Sequence, residues 1–88
     1  MDLDLSKKRV LVTGSSSGIG KSIAKIFSSE GCIIALNGKS KRKLINATKD
    51  FNDPLICQGD MSDNTEAKNV IKKCSDELGG LDILVCNI

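Results

Sequence analysis

The segment 13–20, which reads Thr-Gly-Ser-Ser-Ser-Gly-Ile-Gly, constrains the fold more than any other part of the chain. The apolar stretch 10–12 before it is typical of a buried parallel strand. A helical stripe follows, formed by Ile19, Ile23, Ile26 and Phe27. Glycines at such a turn permit a sharp bend, close approach of the backbone to phosphate and tight packing of the helix on the sheet, and the helix directs its free N–H groups at the anion. The segment predicts a dinucleotide-binding turn rather than an ordinary turn rich in small residues.

Strand-like and helix-like stretches alternate along the whole chain. The predicted strands are 9–13, 32–37, 55–58 and 82–86, and the predicted helices are 18–29, 41–51 and 63–78. Ser62 is the predicted N-cap of the third helix, and Gly31 and the pair Gly79-Gly80 are the predicted helix stops. The βαβαβαβ order predicts an α/β fold, with a Rossmann-type doubly wound parallel sheet of strand order 3-2-1-4 in a single domain over 1–88.

The composition argues against several classes of function. Lys and Arg exceed Asp and Glu by only two, and the only aromatic residues are two Phe, so neither nucleic acid nor an anionic membrane is an expected partner. Asp2 and Asp4 lie where a signal peptide needs basic residues, and no apolar stretch is long enough to span a bilayer, which predicts a soluble cytoplasmic protein. The cysteines match no metal-ligand spacing, so we expect reduced core residues rather than a metal site or a disulfide framework. They are Cys32, Cys57, Cys74 and Cys86.

The glycine segment resembles the cofactor loop of the short-chain dehydrogenase/reductase family, which reads Thr-Gly, three residues, Gly, any residue, Gly. The resemblance covers essentially the whole chain and continues through 37–40 (Asn-Gly-Lys-Ser), 59–61 (Gly-Asp-Met) and 81–87. It is strongest to the bacterial 3-oxoacyl carrier-protein reductases. Family members transfer hydride between a nicotinamide and a carbonyl or alcohol. The resemblance therefore implies the cofactor-binding N-terminal part of such an oxidoreductase, acting on a small molecule such as a 3-oxoacyl thioester and forming a homo-oligomer when full length.

The resemblance also implies a role for each cofactor-binding residue. The pyrophosphate loop would comprise Gly14, Ser15, Ser16, Ser17, Gly18, Ile19 and Gly20, with Thr13 bracing the turn through its hydroxyl. Asp60 would accept a hydrogen bond from the adenine amino group, and the Met61 N–H would meet a ring nitrogen. Asn87 is the second amide of the family's Asn-Asn-Ala-Gly segment, which lies along the cofactor ribose, whereas Cys86 and Ile88 depart from that pattern.

The residues after the second strand favour NADP over NAD. Gly38 stands where an NAD-binding protein carries a carboxylate for the ribose 2′-OH, and the next residue, Lys39, can pair with a 2′-phosphate. Ser40 belongs to the same segment, and Ser16 either donates to the 2′-phosphate or is simply a small loop residue. One departure weakens this preference, because many NADP-linked relatives also carry a basic residue where this chain has Ser17. The following cations, at 41–43, are interpreted as a solvated helix start.

No catalytic residue is predicted within these 88 residues. The family uses a Ser, a Tyr and a Lys that lie downstream of this segment, and the chain contains neither Tyr nor His. The 88 residues alone are therefore expected to be inactive. Two alternatives remain: a nucleotide-binding or sensor module without catalysis, and a P-loop NTPase or kinase suggested by Gly20-Lys21-Ser22. The second would need a glycine at 15, where the chain has Ser15.

Overall fold

The computed structural model describes residues 6–87 and shows a four-stranded parallel sheet with helices on both faces. The predictions for Asp2, Asp4 and Ile88 lie outside the described residues. The elements are β1 (Arg9–Val12), α1 (Gly18–Ser29), β2 (Ile33–Gly38), α2 (Lys41–Ala47) with a 3-10 turn (Thr48–Asp50), β3 (Leu55–Gln58), α3 (Asn64–Leu78) and β4 (Ile83–Val85). The strand order β3-β2-β1-β4, parallel throughout, confirms the predicted topology.

The central strand β1 contributes side chains to two separate cores, because successive residues of a strand point to opposite faces. Val10 and Val12 face α1 and α2, whereas Leu11 faces α3. All three are fully buried, which explains the unbroken apolar run at 10–12. The first core also contains Ala24, Ile34, Leu36, Leu44 and Ala47, and the second contains Ala35, Cys57, Val70 and Cys74.

The buried face of α1 differs from the predicted stripe. Ile23 and Phe27 pack on the first core as expected, but Ile19 and Ile26 are 73% and 62% exposed. The fully buried positions of α1 are Gly20 and Ala24, one helical turn apart. Their small side chains allow the helix axis to approach the sheet closely, so the contact face is centred on them rather than on the isoleucines.

Two helix ends differ from the sequence prediction. The second helix ends at Ala47 instead of continuing to Phe51, because the Thr48 hydroxyl donates to the Ile45 carbonyl and the chain tightens into a 3-10 turn. The N-cap of α3 is Asp63, not Ser62, and its carboxylate accepts from the N–H groups of Thr65 and Glu66. The predicted stops are confirmed, since Gly31 and Gly79 have φ of +87° and +77° after α1 and α3.

The cysteines are free thiols, but only part of the core prediction holds. Cys57 of β3 and Cys74 of α3 are fully buried in the second core. Burial there raises the pKa of the Cys57 thiol to about 12. Cys32 is half-buried, and Cys86 is exposed just beyond β4, so the prediction that Cys86 belongs to the core is wrong.

At the amino ends of the strands, Arg9 holds β4 against β1. Its guanidinium Nε donates to Asp82 Oδ2 at 2.9 Å, its Nη1 donates to the Gly79 carbonyl at 2.6 Å, and its backbone N–H also donates to Asp82 Oδ2, at 2.8 Å. These contacts join the start of β1, the end of α3 and the residue before β4. They hold the short strand β4 in register from the end of the sheet opposite the glycine turn.

Candidate functional site

A cleft of about 380 Å³ opens at the carboxyl ends of the strands. Ligands of open parallel sheets bind at this end, next to the point where the strand order reverses, here between β1 and β4. The cleft is lined by Gly14, Asn37, Gly38, Lys39, Gly59, Asp60, Met61, Ser62 and Asn87. Five of the residues predicted from sequence are therefore brought together: Gly14, Lys39, Asp60, Met61 and Asn87.

The glycines of the turn after β1 allow three segments to meet without side chains between them. A Cβ at Gly14, which has φ of +59°, would lie 2.5 Å from the Asn87 carbonyl oxygen. A Cβ at Gly20 would lie 2.2 Å from the Gly14 carbonyl oxygen. Gly18 has φ of +62° but open space around it, so it is needed for backbone conformation alone.

The backbone amides of the turn fall into two groups. Gly14 N–H donates to Asn37 Oδ1 at 3.1 Å and Ser15 N–H donates to the Asn37 carbonyl at 2.7 Å, so these two amides are used inside the protein. The amides at 18–20 form the first turn of α1, whose N-cap residue Ser17 makes no side-chain capping bond. The other two described α-helices are both capped by side chains, Ser40 and Asp63. The start of α1 thus presents uncapped donors together with the positive end of the helix dipole.

The most extensively bonded residue of the cleft, Asn37, was not predicted as a site residue. Its side chain accepts from Gly14 N–H and donates to the carbonyl oxygens of Cys57 at 2.9 Å and Gly59 at 3.2 Å. Its backbone N–H donates to Ser15 Oγ at 2.9 Å, and the residue is only 2% exposed. The sequence does contain one signal for this role: Asn37 is the polar residue at the end of the otherwise apolar stretch 33–37. A buried amide in a strand requires hydrogen-bond partners, so its presence there indicates a bonded position.

The end of β4 is fastened to the same turn. Thr13 Oγ1 accepts from Asn87 N–H at 2.8 Å and donates to the Val85 carbonyl at 3.3 Å. Asn87 Nδ2 in turn donates to the Gly14 carbonyl at 3.3 Å. Thr13 therefore links β1 to the segment after β4, and Asn87 lies directly against the glycine turn.

The opposite wall of the cleft carries the charged groups. Asp60 Oδ1 accepts from the hydroxyl and the N–H of Ser62 at 2.6 and 2.9 Å. These bonds lower the pKa of the Asp60 carboxyl, with a smaller contribution from Lys39, whose Nζ lies 3.9 Å from Asp60 Oδ2. Met61 lines the cleft and packs against the α3 side of the sheet. The cleft therefore combines an anionic carboxylate with a largely exposed lysine.

Ser16 and Ser40 lie beside the cleft in different roles. A Cβ at Gly38 would lie 3.0 Å from Ser16 Oγ, so the Ser16 hydroxyl occupies the space next to the bare backbone of Gly38. Ser40 Oγ accepts from Lys43 N–H at 3.3 Å and caps α2. Of the remaining predicted residues, Ser15 is buried beneath the turn, whereas Ser17, Gly18 and Ile19 are exposed at the start of α1.

The residues that suggested a P-loop make other contacts. Lys21 forms an ion pair with Asp50 of the 3-10 turn, and the Ser22 hydroxyl donates to the Gly18 carbonyl at 3.2 Å. In a P-loop the equivalent side chains contact phosphate and a metal ion. Within residues 6–87 no group of three or more His, Cys, Asp or Glu side chains is placed to bind a metal ion. None of the helices in this range combines the length and apolar character needed to cross a membrane.

A doubly wound parallel sheet with a glycine turn and a cleft at the carboxyl ends of its strands defines a Rossmann-type nucleotide-binding fold. The chain belongs to the short chain dehydrogenase family, which it matches over residues 8–88. The predicted family resemblance is thus confirmed.

Individual relatives support this assignment. A glucose 1-dehydrogenase of Gluconobacter oxydans is 40% identical over 85 residues, covering 91% of this chain and 32% of the relative. A 3-oxoacyl acyl-carrier-protein reductase of Rickettsia prowazekii is 39% identical over 88 residues, which cover 97% of this chain and 34% of the relative. The crystal structure of L-sorbose reductase from Gluconobacter frateurii, complexed with NADPH and L-sorbose, superposes with a TM-score of 0.90 at 34% identity. The superposition covers 100% of this chain and 35% of the reductase chain. The chain spans about a third of the length of these relatives.

Proposed function

We propose that this chain is the NADP(H)-binding part of a short-chain oxidoreductase that transfers hydride between a nicotinamide and a carbonyl or alcohol. The observation that carries the proposal is that Gly14 of the glycine turn, Lys39 and Asp60 line one cleft at the carboxyl ends of the strands. Family membership supports it, because the relatives are dehydrogenases and reductases and one of them was crystallised with NADPH.

In this proposal each part of the dinucleotide has its own partners. The pyrophosphate binds the uncapped amides at 18–20, while Gly14 and the buried Ser15 shape the turn. On the far wall of the cleft, Asp60 accepts a hydrogen bond from the adenine amino group and the Met61 N–H meets a ring nitrogen, and the adjacent ribose faces Gly38 and Lys39. Asn87 lies beside the turn, where it contacts the ribose on the nicotinamide side. Bound there, the cofactor supplies or accepts the hydride.

The preference for NADP over NAD depends on three residues beside the cleft. Gly38 leaves no carboxylate to hold a ribose 2′-OH or to repel a 2′-phosphate. The Ser16 hydroxyl fills the space next to Gly38 and offers a neutral donor. Lys39 supplies the cation, and its side chain is 76% exposed and only loosely paired with Asp60, so it is available to a dianionic phosphate.

The test is a titration of the intact protein with NADPH and NADH, repeated for Lys39→Glu. We expect the wild type to prefer NADPH and the variant to lose roughly tenfold or more of that preference, because a charge-assisted pair is replaced by a repulsion. Lys41→Glu is the matched control, since it makes the same charge change two residues further on, outside the cleft lining. Unchanged selectivity in Lys39→Glu, or an equal loss in Lys41→Glu, would remove Lys39 from the proposal.

The substrate is proposed only as a carbonyl or alcohol. The glucose 1-dehydrogenase and the 3-oxoacyl reductase match the chain at nearly the same identity, 40% and 39%, so the first part of the sequence does not favour a thioester over a sugar. The proton donor of the reaction is proposed to lie outside these residues, since they include neither Tyr nor His.

A further inference from the structure

The side chain of Asn37 links two parts of the cleft. Its carboxamide bonds to the glycine turn through Oδ1 and to the end of β3 through Nδ2. We propose that Asn37 is a positioning residue of the nucleotide cleft, which holds these two walls in the one arrangement that binds the dinucleotide. This inference rests on the proposed function.

On the side of the turn, Asn37 fixes both peptide groups that flank Gly14. The N–H of Gly14 donates to Asn37 Oδ1, and the N–H of Ser15, on the other side of Gly14, donates to the Asn37 carbonyl. The orientation of these two peptides sets the position of the Gly14 carbonyl oxygen. Gly20 packs so closely against that oxygen that a Cβ on Gly20 would collide with it. Asn37 therefore determines where the first turn of α1, with its free amides, lies relative to the sheet.

On the opposite wall, Asn37 fixes the segment that leads to Asp60. Its Nδ2 donates to the carbonyls of Cys57 and Gly59, the latter immediately before Asp60. β3 is an edge strand and pairs only with β2 in the described chain, so the Asn37 side chain adds two bonds where the ladder ends. Asn37 thus hydrogen-bonds to both the phosphate side and the adenine side of the cleft.

The chemistry of the site selects a carboxamide. One acceptor faces an N–H and two donors face two carbonyl oxygens, which matches the bonding capacity of Asn. A leucine of similar size would fill the space but would remove the side-chain bonds to the half-buried Gly14 N–H and Gly59 carbonyl and to the buried Cys57 carbonyl. An ionised aspartate would supply no donor to the carbonyls of Cys57 and Gly59.

The test compares the NADPH affinity of the intact wild type with that of Asn37→Leu, at a temperature where circular dichroism shows both to be folded. We expect binding by Asn37→Leu to be at least roughly tenfold weaker, because the three side-chain bonds to the Gly14 N–H and to the carbonyls of Cys57 and Gly59 are lost while the backbone bonds of residue 37 remain. The matched control is Val10→Ala, which creates a cavity at a fully buried β1 position outside the cleft lining. The control should lose stability but keep its affinity within about twofold. Hydrogen exchange of the Gly14 amide, measured without nucleotide, should be slow in the wild type and in Val10→Ala and fast in Asn37→Leu.

Four outcomes would overturn the inference. Wild-type affinity in a folded Asn37→Leu protein would overturn this inference but not the proposed function. An equal loss of affinity in Val10→Ala and Asn37→Leu would do the same. A wild type that binds neither NADPH nor NADH overturns the proposed function and this inference together. If Asn37→Leu does not fold, the wild-type exchange measurement decides, because a Gly14 amide that exchanges freely is not held by Asn37.

Discussion

The glycines of the turn after β1 are required for different physical reasons. At Gly20 the requirement is space, because a Cβ would collide with the Gly14 carbonyl at 2.2 Å and with Asn87 Nδ2 at 2.6 Å. At Gly18 the requirement is only the left-handed backbone, with φ of +62° and no neighbour within 4 Å. The glycine turn thus combines two separable constraints: one on packing, at Gly20, and one on backbone conformation, at Gly18.

Substitution by alanine should separate these two constraints. Gly18→Ala is expected to cost about 1 kcal/mol of unfolding free energy, the strain of a left-handed alanine, and to retain nucleotide binding. Gly20→Ala is expected to cost about 2–3 kcal/mol and to abolish nucleotide binding, since the turn must move away from α1. Urea denaturation and NADPH titration of the two variants provide the measurements. Equal effects in the two variants would show that the close approach of Gly20 to Gly14 does not govern the site.

At the scale of secondary-structure elements, β4 depends on the clamp made by Arg9. β4 has three residues and, within residues 6–87, pairs only with β1, so side-chain contacts at its start matter more than for a longer strand. The hydrogen bonds from Arg9 lower the pKa of Asp82 from 3.8 to about 2. Because the folded pKa lies below the unfolded value, the stabilisation is present above about pH 4 and is lost as the pH falls toward 2.

Asp82→Asn should therefore lower the unfolding free energy at neutral pH and leave it nearly unchanged near pH 2. The difference between wild type and variant should shrink between about pH 4 and pH 2, because over this range the unfolded chain binds a proton at Asp82 that the folded protein still excludes. Asp76→Asn is the control, because it removes an exposed ion pair with Lys72 within α3 and should change stability little. A difference that persists unchanged down to pH 2 would show that the Asp82 charge is not the source of the effect.

The elements were predictable from sequence to different degrees. The strands and their order followed from apolar runs alternating with helical patterns, since only a parallel sheet with crossovers accommodates that sequence of elements. The buried face of α1 was predicted only in part: Ile23 and Phe27 pack on the first core, whereas Ile19 and Ile26 are exposed, because contact with the sheet is centred on Gly20 and Ala24. The role of Asn37 could not be predicted, because its partners lie in the glycine turn, in β3 and just after β3, which are distant from it in sequence. The residue contacts to a cofactor remain predictions.

At the scale of the whole molecule, the described chain exposes apolar surface at one edge of its sheet. The outer edge of β4 has no partner strand within residues 6–87, and Leu84 on that strand is 40% exposed. Ile19 and Ile26 of α1 are exposed as well. An unpaired strand edge beside exposed aliphatic side chains is a template for pairing with another chain.

We therefore expect a polypeptide of these 88 residues alone to be marginally stable and to self-associate through β4. Leu84→Lys should reduce the association seen in sedimentation velocity, because a charged side chain on an edge strand opposes edge-to-edge pairing. Ile45→Lys is the control, since it adds the same charge at a similarly exposed isoleucine of α2, which packs on β2 and β3 and not on β4. A monomeric, cooperative urea transition of about 5 kcal/mol or more would contradict the expectation, because it would show that the two cores described here suffice without a further strand. An equal effect of the two lysine substitutions would instead assign the association to overall charge, and the edge of β4 would have no special part in it.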